Sequence, residues 1–145
     1  MLYKATEEIS GYFTMTDIKH EVRETKDGKF SAVEAGFNGK NTHHVFVNFI
    51  STDDGSDFAM RVFSFCTVPE DREEAAIRCV NDLNNKFRFL RFVYLPEERR
   101  IDVAYDMLQE LGTERVGPMA RELFLRTIQI LDTAYPVLMK ALWGD

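Results

Sequence analysis

Two cysteines, three histidines and four prolines in 145 residues exclude several kinds of protein at once. Cys66 and Cys79 stand far from any CxxC spacing and lack a secretory context, so neither a disulfide framework nor a structural zinc site is expected. Both read as reduced thiols packed as small hydrophobes. No stretch of about eighteen uncharged apolar residues occurs, and the opening "MLYKATEEISGYF" carries charge where a secretory signal is apolar. A cytoplasmic protein without membrane contact is expected. The glycine-rich phosphate cradles, the dinucleotide fingerprint and the nucleophile elbow are all missing. Catalysis therefore has no motif behind it, no catalytic residue is assigned, and no cofactor is expected.

What remains is the composition of an ordinary globular domain, 45% hydrophobic and 29% charged. A chain of this length buries roughly two-thirds of its unfolded surface around one core. No linker, repeat or low-complexity run divides it, so residues 1–145 read as a single domain. The net charge of -6 argues against a protein whose whole surface seeks phosphate.

The spacing predicts a short helix over residues 4 to 16, then two hairpins. "IKHEVRE" and "KFSAVEAGF" flank "TKDG", whose Asp27-Gly28 supplies the positive φ of a tight turn. "HHVFVNFIS" and "DFAMRVFSF" flank "TDDGS" with Gly55 at its centre. At "TVPE" the pattern changes, because Thr67 and Glu70 have capping-box spacing and Pro69 suits a first turn. The helix that follows buries Ala76, Cys79, Val80, Leu83 and Phe87 and is expected to end at Asn84-Asn85, residues that compete for backbone hydrogen bonds. From Arg88 the period falls to two, giving strands in "RFLRFVYL" and "RRIDVAYDM". A long helix over residues 116 to 142 closes the chain, with Asp132 and Pro136 on its polar stripe. The order α-β-β-β-β-α-β-β-α defines an α+β protein with a mainly antiparallel sheet of about six strands and three helices.

Sites are few. His43 and His44 are neighbours in a strand start and point to opposite faces, so they do not line one site without a bulge. His20 stands alone, and no converging ligand set points to a metal. "STDDGSD" has the acidic density of a calcium loop but neither its twelve-residue spacing nor its closing glutamate. Lys86, Arg88, Arg91, Arg99 and Arg100 stand against Glu97 and Glu98, interleaved with Phe87, Phe89, Phe92 and Tyr94. Stacking and charge of this kind bind single-stranded nucleic acid, the alternative to a protein partner. The two central strands are apolar on both faces, with Phe46 and Ile50 opposing Val45, Val47 and Phe49, and with Phe63 and Phe65 opposing Phe58, Met60 and Val62. Either helices cover both sides of the sheet or the sheet curls over itself, or else the second face receives a homodimer partner or a partner's apolar segment. Phe46, Ile50, Phe63, Phe65, Arg88 and Arg91 are the expected partner-binding residues.

The run "LNNKFRFLRFVYLPEERRIDVAYDM", with the terminal helix closing in "AYPVLMKALWG", resembles the YbjN family of small bacterial proteins, described as sensory transduction regulators. The likeness follows element order over about residues 18 to 144. It is carried by Asn84, Phe89, Phe92, Tyr135, Pro136, Leu142, Trp143 and Gly144, while Leu90 stands where the family pattern has glycine. The resemblance implies a type III secretion chaperone-like fold in proteins that dimerise and bind extended partner segments. It implies a regulatory or chaperone-like role and no enzyme activity.

Overall fold

The computed structural model describes residues 2–107 and 115–144. The elements run α1 (Lys4–Met15), β1 (Glu21–Glu24), β2 (Ser31–Phe37), β3 (Val45–Ser51), β4 (Phe58–Thr67), α2 (Glu73–Lys86), β5 (Arg91–Leu95), β6 (Arg100–Met107) and α3 (Val116–Trp143). This is the expected α+β order. The six strands form one antiparallel sheet in the order β1-β2-β3-β4-β6-β5, so the meander of the two hairpins is extended by β6 and β5 becomes an edge. Gly28 takes φ +72° in the first turn, closed by the Thr25 N–H donating to Phe30 O. Gly55 needs no such angle, because its N–H is held by the Asp53 carboxylate at 2.7 Å.

Alternate strand residues Val33, Ala35, Val47, Phe49, Met60, Val62, Ile101 and Val103 are buried in a single core. Ala5, Ile9 and Phe13 of α1, Ala76, Cys79 and Leu83 of α2, and Leu123, Phe124, Leu131 and Leu138 of α3 join that same core. All three helices therefore cover one face of the sheet, and no described helix covers the other. The core turns on a set of edge-to-face rings: Phe13 and Phe49 lie 5.6 Å apart, Phe49 and Phe58 5.7 Å, and Phe37 and Phe124 6.3 Å. Pro136 falls on the exposed side of α3, where the helix runs through it without interruption, as its position on the polar stripe implies.

Three local expectations are corrected. Thr67 does not cap α2; it ends β4, and Val68 extends the pairing by donating its N–H to Arg99 O at 2.8 Å. The chain then turns through Pro69–Arg72 before the helix begins at Glu73. Asn84 and Asn85 do not end α2, which continues to Lys86, because the Asn84 amide bonds elsewhere than its own helix. The last strand pair begins at Arg91 rather than Arg88: Phe89 sits at φ +76° in a turn closed by Leu90 N–H to Arg88 O. That turn leaves Phe89 half-exposed beneath the Arg126 guanidinium, 5.0 Å from the ring centre, and sends Leu90 into the core.

Both cysteines are free and buried. Burial pushes the Cys66 thiol up to about 12, and the neighbouring Cys79 adds to the rise. A thiol with a raised native value contributes its full stability below its ordinary 9.0 and loses it as pH climbs toward 12. In the native protein at pH 8, Cys66 is expected to react with Ellman's reagent at least about 100-fold more slowly than in the unfolded chain. Comparable rates in the two states would show the thiol to be accessible.

Candidate functional site: the open sheet face

With the helices on one side, the strand residues of opposite parity form an uncovered face. The register sets them in rows across the sheet. One row reads Glu21, Glu34, Asn48, Arg61, Ala104 and Arg91, and the next reads Arg23, Ala32, Ile50, Ala59 and Asp106. The charges are linked within and across strands. Arg23 meets Glu21 at 3.0 Å and Glu34 at 3.1 Å, Arg61 meets Asp106 at 2.7 Å, and Arg91 reaches Asp106 at 3.9 Å. Exposed pairs of this kind add only about 0–1 kcal/mol each, so it is the strand register more than the pairing that sets where these charges stand.

The apolar part of the face is smaller than the sequence suggests. Phe46 and Phe63 are both half-exposed and line a common cavity of about 410 Å³. Ile50 is only partly exposed. Phe65 also lines this cavity but from the buried side, packed against Tyr135 of α3 with ring centres 5.6 Å apart. The cause is a bulge. Between the pairs Val62↔Val103 and Cys66↔Ile101, β4 has more residues than β6, and Ser64 absorbs the excess at φ +52°. Its N–H is taken by the nearly buried Asp102 carboxylate at 2.8 Å, which is held in turn by Arg100 at 3.0 Å. A sequence pattern of period two has no way to register that insertion.

His43 and His44 line the same cavity as Phe46 and Phe63, contrary to the strand-alternation argument, because His44 takes φ +54° just before β3 begins. His20 is a structural residue: its Nδ1 lies 2.8 Å from Ile18 O and its Nε2 2.7 Å from Ser10 Oγ. Among the described residues no group of three or more His, Cys, Asp or Glu is placed to hold a metal ion.

The loop at the cavity's rim is fastened by Asp132, a residue whose place on the polar stripe of α3 gives no sign of this role. Its carboxylate accepts the N–H groups of Lys40 and Asn41, at 3.2 and 2.8 Å, and the Thr42 hydroxyl at 3.0 Å. Any Cβ on Gly39 would strike that carboxylate, so this close approach requires glycine. The Asn41 N–H, more than the other donors, holds the Asp132 carboxyl below its ordinary 3.8. A depressed native value gives stability that is present above 3.8 and lost as pH falls through the lowered value. Asp132→Ala is accordingly expected to raise the exchange rate of the Asn41 amide at least about tenfold at pH 6. In the wild type, the same protection is lost only on acidification below the carboxylate range. An Asn41 amide equally protected in the variant would show that the loop is held by other contacts.

Of the basic residues, Arg91 belongs to the face, Arg99 pairs with Glu70 at 3.6 Å and Arg100 with Asp102. The Arg88 side chain is exposed and forms no ion pair among the described residues. Arg88 and Arg91 are not brought together with Phe46 and Phe63 into one cluster: Arg91 lies on the edge strand of the open face and Arg88 in the turn before it. The members that sequence reasoning missed are Glu21, Arg23, Glu34, Asn48, Arg61 and Asp106. Each looks like a solvated charge or amide until the register aligns it with its neighbours.

The geometry defines an α+β protein whose sheet is layered on one face only. No protein-family model, curated protein or solved structure matches the chain. The likeness to the YbjN family thus rests on the residues quoted for it. No described helix is long and apolar enough to cross a membrane.

Proposed function

We propose that the protein is a non-enzymatic interaction module, regulatory or chaperone-like in role, that receives a polypeptide on the open face of its sheet. The observation that carries this reading is the pair of half-exposed phenylalanines, Phe46 and Phe63, on a face that no described helix covers. Apolar anchors with a polar, charged rim are the make-up of a protein contact surface. The resemblance to the YbjN family, with its chaperone-like fold and its dimers, agrees with this reading. We take the compartment to be the cytoplasm, which suits two unpaired, buried thiols.

The test is fluorescence anisotropy of labelled extended peptides that alternate Phe or Leu with Lys and Glu, read against dilute protein at 50 and 500 mM salt. Binding should change little with salt and fall at least about tenfold in Phe46→Asp and Phe63→Asp. The rival reading is a nucleic-acid regulator using Arg88, Arg91, Arg99 and Arg100. Three of these four are already engaged by carboxylates, with which phosphates would have to compete. Oligonucleotide binding that drops steeply with salt, together with peptide binding indifferent to Phe63, would favour the rival.

A further inference from the structure

We propose that the cavity lined by Phe46 and Phe63 is a binding site for a small organic cation of the alkylammonium class, held by aromatic rings and one carboxylate. The inference goes beyond the docking of a polypeptide and does not depend on it.

The cavity lies where the sheet stops closing. β3 and β4 pair at Ile50↔Ala59, Phe49↔Met60 and Asn48↔Arg61, and the ladder ends there although both strands continue, to Val45 and to Thr67. Counted outward from the last pair, Phe46 and Phe63 take facing positions two residues on. Aromatic rings so placed ordinarily pack on one another. Phe46 instead lies over β2, where a Cβ on Gly36 would stand 3.0 Å from its Cε1, and Phe63 stays half-exposed. Both rings line the cavity of about 410 Å³, a volume within the roughly 300–1,000 Å³ range of small-molecule sites. His44 at φ +54° and Ser64 at φ +52° border it too, and backbone held in such sparsely populated conformations collects at ligand sites.

The lining selects the ligand's charge. Four aromatic side chains contribute, Phe46 and Phe63 from the open face, and Phe65 and Tyr135 from the buried side, edge to face at 5.6 Å. Glu34 is the one carboxylate, and neither lysine nor arginine lines the cavity. Ring faces are negative and attract a weakly hydrated cation, and a carboxylate beside them adds to that attraction. An anion would be repelled by both. Glu34 shares its partner: Arg23 lies 3.1 Å from Glu34 and 3.0 Å from Glu21, so one guanidinium serves two carboxylates and the cluster stays negative. The chain's charge of -6 favours the approach of a cation as well. A bare metal ion needs several converging ligands, and no such group exists among the described residues, whereas an alkylated ammonium needs no shell of oxygens.

The test is an NMR titration of the full chain at pH 8, above the ordinary titration of imidazole, with choline chloride against sodium chloride at equal ionic strength. The amides of Phe46, Phe63 and Ser64 report binding. Choline should bind with a Kd below about 1 mM, and its uncharged carbon isostere, 3,3-dimethylbutan-1-ol, at least about tenfold more weakly. Glu34→Gln and Phe63→Leu, each shown by thermal melts to be folded, should weaken choline binding at least about fivefold. Arg23→Gln, which releases Glu34 from its partner, should tighten it about twofold or more. No saturable shift up to about 20 mM choline, an isostere that binds as tightly as choline, or undiminished binding in Glu34→Gln would each overturn the proposal. Peptide binding that needs Phe63 in a chain without affinity for choline would remove the cation site and leave the docking face in place. Choline binding in a chain that takes no peptide would do the reverse.

Discussion

Phe49→Ala should cost about 3–5 kcal/mol, the largest loss from any single side chain of the sheet. Phe49 is fully buried at the middle of β3, and its ring stands edge-on to Phe13 and Phe58 and 6.5 Å from Phe124 of α3. Truncation removes ring contacts from the sheet to both α1 and α3, which pack side by side on its covered face. The void cannot collapse easily, because Phe13 and Phe124 are fixed against each other and Phe124 against Phe37. For a chain of this size the loss corresponds to a fall in Tm of roughly 10–15 °C. Phe49→Leu, which keeps most of the volume, should lose less than half as much. Urea unfolding of the two variants measures both, and a loss below about 1 kcal/mol for Phe49→Ala would show that the ring cluster is not the centre of the core.

Asn84→Ala is the second large effect, and its origin is polar. Asn84 lies in the last turn of α2, and its side-chain amide exchanges both hydrogen bonds with the backbone of Phe92: Nδ2 donates to Phe92 O at 3.0 Å, and the Phe92 N–H donates to Oδ1 at 2.7 Å. The amide takes the place of a neighbouring strand on the free edge of β5 and closes that edge at its buried residue. Two bonds at about 0.5–1.5 kcal/mol each set the expected loss at roughly 1–3 kcal/mol. Asn84→Asp should be no better than alanine, since it accepts the Phe92 N–H but sets a carboxylate oxygen against the Phe92 carbonyl. Amide exchange at Phe92 should quicken at least about tenfold in either variant. A Phe92 amide still protected in Asn84→Ala would mean that solvent or the rest of α2 already closes the edge.

These two positions show what was legible in the chain and what was not. Phe49 could be read from alternation alone, as could the strands, both hairpins and the element order, because the period of side-chain burial is written in consecutive residues. Asn84 was noticed for a local reason, its poor fit to a helix interior, and local reasoning then misplaced the helix end. Its partner is a strand backbone eight residues away, and such a bond has no composition. The Ser64 bulge failed to show for a related reason: the insertion is defined by β6, not by β4, and it moved Phe65 from the open face into the core. Thr67 and Glu70 matched a capping pattern that strand pairing at Val68 overrode.

The charged rows on the open face were the least visible of all. Glu21, Glu34, Arg61 and Arg91 span seventy residues of sequence, and each alone is an ordinary surface charge. Only the register brings them into one line with acids at one end and arginines at the other. The phenylalanines beside them are legible in the sequence as a surplus of apolar residues on both faces of β3 and β4.

The most direct measurement is hydroxyl-radical labelling of the exposed apolar side chains over a rising concentration of an extended peptide that alternates Phe or Leu with Lys and Glu, read by mass spectrometry. Phe46 and Phe63 should lose reactivity as the peptide binds, while Trp143 of α3, exposed to a similar degree on the other side of the molecule, keeps its own. Phe46 and Phe63 remaining fully reactive while Trp143 or Val137 becomes protected would place the contact on α3 and contradict the account.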